Sequence, residues 1–96
     1  MTLEQFETAC GKTLALLKAR SGDFDAKRDQ DAPTSPWHLA YMLVQAALFF
    51  AENKSDKANR WLGYTQGVMA ALHYATLDEL KRANMPEGEQ FDAQKV

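Results

Sequence analysis

The residues able to carry chemistry are few: one thiol (Cys10), two imidazoles (His38 and His73), scattered carboxylates and a small cation group (Lys54, Lys57 and Arg60). A single cysteine excludes an internal disulfide and a cysteine-based zinc site. Cys10 falls on an apolar stripe with no histidine close in sequence to activate it, so it reads as a small buried hydrophobe. His38 stands beside Trp37 at the start of a helical pattern with no local partner and reads as a seam or capping histidine. His73 falls late in another helical pattern, where a positive charge suits the helix dipole. The spacing of these three groups matches no metal motif.

Carboxylates offer no more. Glu4 with Glu7, and Asp78 with Glu79, sit in first helical turns, where the dipole already accounts for them. Asp23 and Asp25 alternate as in a calcium loop, but Lys27 and Arg28 hold positions that need a ligand and a glycine, and the closing glutamate is missing. There is no glycine-rich phosphate loop, no GxSxG elbow and no HExxH. No cofactor is expected and the chain reads as a non-enzyme. Lys54, Lys57 and Arg60 gather where a helix begins, and cations there oppose its dipole. They read as a solvated face or as a contact for an acidic surface.

Four helical segments must position these groups. The first spans 3–20, opened by a Thr2/Gln5 capping box, with Leu3, Phe6, Cys10, Leu14 and Leu17 as its stripe and Gly22 as its stop. Residues 21–35 form an Asp-rich mobile linker containing one aromatic, Phe24. The second helix spans 36–53, with Ser35 as N-cap and Pro36 in the first turn. It is apolar on most faces, with Leu39, Met42, Leu43, Ala46, Phe49 and Phe50 on one side. Trp37, Tyr41, Val44 and Leu48 lie on another, and His38, Gln45 and Glu52 form a thin polar seam. Such a helix must be covered nearly all round. The third spans 56–75, and the short link makes it an antiparallel hairpin with the second. Gly63, Gly67 and Ala71 add a small-residue stripe to it, predicting a close backbone approach. The fourth spans 77–84, opened by a Thr76/Glu79 capping box and ended by Pro86.

The expected fold is all-α: a small bundle of three to four helices around a central helix 2–helix 3 antiparallel hairpin. Residues 1–86 make one domain and 87–96 a flexible tail. Chain length permits little more: 96 residues, 46% hydrophobic and 25% charged, with 11 basic against 13 acidic residues and a net charge of −2. That charge gives no global footprint for nucleic acid. The N-terminus lacks a signal-peptide pattern, and the longest apolar run is too short to cross a bilayer, so the expected location is the cytoplasm. Helix 2 carries more apolar surface than helices 1, 3 and 4 can cover in a chain this short. Surplus apolar surface means an interface, and a twofold homodimer on the hairpin closes it most simply.

Residues 57–86, KANRWLGYTQGVMAALHYATLDELKRANMP, resemble a segment of small helical proteins of proteobacteria and their phages, a group that includes quorum-sensing anti-activators. The preceding stretch 37–56, WHLAYMLVQAALFFAENKSD, fits the same pattern. The distinctive core is RWLGYTQG at 60–67; the first helix and the Asp-rich loop contribute nothing. The resemblance implies a helical homodimer that binds a LuxR-type transcription factor, occludes its dimerisation surface and so removes it from DNA. Trp37, Tyr41, Phe49, Trp61 and Tyr64 are the candidate partner anchors, because hot spots favour aromatics that fill pockets. Lys54, Lys57 and Arg60 are the candidate basic contacts. The alternatives are a phage-type accessory protein that inhibits another host factor, and a small helical DNA-binding protein. The second is disfavoured because helix 3 spends its surface on apolar residues.

Overall fold

A computed structural model describes residues 1–22 and 24–85. The described residues form four α-helices and no strand: α1 (Leu3–Ser21), α2 (Pro36–Ala51), α3 (Ser55–Ala71) and α4 (Leu77–Asn84). Three helix starts follow their local sequence. Thr2 with Gln5, and Thr76 with Glu79, form reciprocal capping boxes, and the Ser35 side chain accepts from the backbone N–H of His38 ahead of Pro36. α1 stops at Gly22, whose φ of 86° lies in the left-handed region.

Two helix ends arrive earlier than the apolar spacing predicts. α2 ends at Ala51 and α3 at Ala71, not at 53 and 75. Asn53 and His73 both adopt positive φ, 65° and 63°. At each, a paired backbone closure forms: Lys54 N–H donates to Phe49 O and Asn53 N–H to Phe50 O, as Tyr74 N–H does to Met69 O and His73 N–H to Ala70 O. These are Schellman closures. His73 therefore lies just past the helix as its left-handed residue, and is not a cation in the last turn as its position in the pattern implied.

The hairpin of α2 and α3 is the largest helix–helix contact, and α1 lies chiefly along α2 with α4 against it. The core has two parts. Near the hairpin turn, Phe6, Cys10, Leu43, Ala46 and Leu62 pack together, with Phe6 stacked on Phe50 at 4.6 Å between ring centroids. At the other end, Leu17, Leu39, Met69 and Leu80 pack together, with Phe24 of the loop laid against them. Between these ends sits a buried polar knot. Gln66 donates to Thr13 Oγ1 (3.0 Å) and Asn84 Oδ1 (2.8 Å), and Asn84 Nδ2 returns a bond to Gln66 Oε1 (2.9 Å). It joins α1, α3 and α4.

The small-residue stripe does not make the close approach its spacing predicts. A Cβ placed on Gly63 or Gly67 would meet nothing within 4 Å, and both glycines are exposed. Within one chain, α2 and α1 pack on the other faces of α3. Surplus apolar surface is present: Val44 and Leu48 of α2 are 47% and 48% exposed, facing out beside Gly11 of α1. Pro86 and the tail 87–96 lie outside the described residues, as does Asp23.

Candidate functional site: an aromatic cleft

The loop before α2 is hydrogen-bonded to that helix. Asp29 is the knot. Its Oδ2 accepts from Trp37 Nε1 (3.0 Å), and its Oδ1 accepts from the backbone N–H groups of Asp31 and Ala32 (3.2 Å each). Its own N–H donates to His38 Nδ1 (2.9 Å), and Lys27 N–H donates to Trp37 O (3.0 Å). The Trp37 indole N–H is the main reason the Asp29 carboxyl is held below its ordinary range; desolvation opposes it, and the Asp31 and Ala32 N–H groups and Lys27 add to the lowering. A short aspartate turn of this kind is a common loop device. Here it lays 28–33 along the first turns of α2.

That placement closes one side of a cleft of about 500 Å³. Arg28, Gln30 and Pro33 come from the loop, His38, Tyr41 and Met42 from α2, and Trp61 and Tyr64 from α3. Tyr41 and Trp61 approach at 6.5 Å between ring centroids, and His38 lies 5.6 Å from Tyr41. Because Trp61 and Tyr64 are three apart, they share a helix face, and Lys57, four before Trp61, shares it too.

The candidate anchors divide between this cleft and its surroundings. Tyr41, Trp61 and Tyr64 line it; Tyr64 is 49% exposed. Trp37 holds the loop through Asp29. Phe49 meets the Trp61 ring edge-on at 4.9 Å and packs on the core near the hairpin turn. The basic candidates are all exposed. Lys57 Nζ stands 4.4 Å from the Phe49 ring centroid and 5.9 Å from that of Trp61, and Lys54 pairs with Glu52 at 3.3 Å. Cation–π attraction offsets part of the unfavourable dipole at this helix start. Arg28 and Gln30 carry no signal in the sequence, and the Asp29 knot carries none beyond the Asx-turn preference of aspartate, because its side-chain partners Trp37 and His38 lie eight and nine residues away.

Two of the remaining chemical groups take part in the fold. His38 serves as a hydrogen-bond acceptor for the loop. Cys10 is buried, and that burial, aided by Glu7, pushes its thiol up from 9.0 to about 11. A neutral buried thiol is a poor nucleophile. The folded state holds this proton longer than the unfolded chain does. Stability from this group is therefore intact below pH 9 and falls as pH rises through 11, by on the order of 2–3 kcal/mol. Urea unfolding at pH 8 and pH 11 should show this loss in the native chain but not in Cys10→Ala; equal losses in the two would contradict it. Among the described residues, no group of three or more His, Cys, Asp or Glu side chains could hold a metal ion, and no helix is long and apolar enough to cross a membrane.

No protein-family model matches the chain, and no curated protein or solved structure matches it. The fold and the cleft therefore define a class by geometry alone: a small all-α bundle whose open concave face is aromatic.

Proposed function

We propose that this chain is a non-enzymatic, cytoplasmic protein-binding regulator that sequesters its partner through the aromatic cleft. The observation that carries the reading is the convergence of Tyr41, Trp61 and half-exposed Tyr64 on one open concavity. Aromatics in such a setting bury large area at low entropic cost and dominate binding energy. Cys10, the one thiol, is buried, and the His38 ring is held at Nδ1 by the loop backbone, with no acidic or nucleophilic side chain among its hydrogen-bond partners in the described residues.

The resemblance of 37–86 to small proteobacterial and phage proteins directs the proposal to a partner. The chain acts as an anti-activator of the QslA type, binding a LuxR-type transcription factor and blocking its dimerisation and DNA binding. It does so as a homodimer, for which the apolar groove between α1 and α2, with Val44 and Leu48 at its rim, offers a seam separate from the cleft. Inhibition of another host factor by the same cleft is the alternative.

A gel-shift titration tests the proposal. A purified LuxR-type receptor on its operator should lose DNA binding as the chain is added, with the midpoint near equivalence when receptor concentration exceeds Kd. Light scattering of the free chain should give twice 10.8 kDa. A receptor that stays on DNA at tenfold excess of the chain refutes the anti-activator role, and a mass of one chain at high micromolar concentration refutes the dimer. Direct DNA binding would instead appear as a shift without receptor that weakens steeply with salt.

A further inference from the structure

We infer that the cleft recognises an acidic segment of the partner: a carboxylate side chain flanked at helical spacing by leucine or aromatic residues. This rests on the partner-binding reading above and adds the chemistry of what is bound. Among the described residues, Arg28 lines the cleft as a cation and no aspartate or glutamate lines it. Asp29, the acid nearest in sequence, has both oxygens engaged by Trp37 Nε1 and by two backbone N–H groups. Its carboxylate is turned toward those donors, and no ion pair joins it to Arg28 among the described residues.

His38 supplies a second donor. Its Nδ1 accepts the Asp29 N–H, so in the neutral ring the proton sits on Nε2. No buried side-chain nitrogen or oxygen among the described residues lacks a partner, and His38 is only half-buried with no bond at Nε2. Nε2 therefore reaches solvent as a free donor on a ring that lines the cleft. The loop that supplies Arg28 is the same loop that fixes this tautomer. Lys57 does not line the cleft, but its Nζ stands 5.9 Å from the ring centroid of the wall residue Trp61 and adds positive charge beside it. Apolar walls with cations and donors, and no lining acid, complement an apolar segment that carries a carboxylate.

The occupant is a protein segment, not a free small acid. Small-ligand sites cover most of their ligand. A wall residue as exposed as Tyr64 indicates an open site better matched to a surface that continues beyond it.

The test uses the full chain and a capped twelve-residue helical peptide carrying leucine and phenylalanine at i, i+4 and i+7 with two flanking glutamates. Its twin replaces both glutamates with glutamine. Fluorescence of the two tryptophans follows each titration. The acidic peptide should bind at least tenfold tighter than its twin, and Arg28→Gln should abolish most of that ratio. Arg28 is exposed on the loop, and circular dichroism checks that the variant stays folded. Equal binding of the twins overturns the inference. So does an undiminished ratio in Arg28→Gln, absence of saturable binding to the acidic peptide, or indole-3-propionate binding as tightly as the peptide. If any of these occurs while Tyr64→Ala still loses a captured partner, the acid preference falls and the binding-module reading stands. If capture too is unchanged in Tyr64→Ala, both fall.

Discussion

Phe6→Ala is expected to destabilise the fold by about 3–5 kcal/mol, the usual cost of emptying a large aromatic site in a core. Phe6 is 0% exposed and stacks on Phe50 while touching the α2 and α3 sides of the core near the hairpin turn. Its removal strips α1 of its main anchor at that end, and α1 is the helix that bridges the hairpin to α4. Domains of this size hold only about 5–15 kcal/mol in total. The melting temperature should therefore fall by tens of degrees, at roughly 4–8 °C per kcal/mol. Phe6→Leu, which keeps most of the volume, should lose far less. A Phe6→Ala melting temperature within a few degrees of the parent would mean that the site is not packed as described.

Gln66→Leu is expected to cost about 2–3 kcal/mol even though it adds apolar volume to a buried position. Gln66 holds Asn84 through a reciprocal pair of amide hydrogen bonds and also donates to Thr13. Removing it leaves those partners unsatisfied, and a lost partner costs more than the bond itself contributes. Because Thr13 also donates to Ala9 O at 2.7 Å, it keeps one bond and the larger loss falls on Asn84. Gln66→Leu combined with Asn84→Leu should therefore recover part of the stability, read as a non-additive double-mutant cycle from urea unfolding. Strict additivity of the two losses would show that the amide pair does not act as a unit.

The parts of this fold written in short-range pattern are legible in the sequence. Thr2/Gln5, Ser35-Pro36 and Thr76/Glu79 mark helix starts because a cap is a contact between residues three apart. The link at 52–54 forces the hairpin, and the all-round apolarity of α2 foreshadows the exposed Val44 and Leu48. Helix ends are less legible. Asn53 and His73 terminate helices by adopting left-handed backbone, which both residue types enter more often than most but too seldom for either position to announce it. Long-range polar pairs are not legible at all: Gln66 with Asn84, or Asp29 with His38, become partners only once helices and loop are placed. The glycine stripe misleads because spacing reveals which residues share a face, not whether anything packs against it.

The same division runs through the candidate site. Aromatic type and spacing put Tyr41, Trp61 and Tyr64 forward as anchors, and tertiary packing brings them to one cleft. Spacing cannot separate them from Phe49, which packs on the core, or from Trp37, whose indole holds the loop. Nor can it supply Arg28 and Gln30, which reach the cleft only because Asp29 folds the loop back onto α2.

Everything proposed for this chain depends on its gripping a protein through the cleft. The decisive experiment is capture from host lysate with tagged chain and with tagged Tyr64→Ala. Tyr64 is half exposed, so the variant should melt within a few degrees of the parent while losing at least about 2 kcal/mol of binding, roughly a thirtyfold loss. One stoichiometric partner is expected on the native chain, depleted on Tyr64→Ala and retained on a Leu72→Ala control, which alters an exposed residue away from the cleft. A partner held equally by the native chain and Tyr64→Ala, or no stoichiometric partner on either, would contradict the binding role.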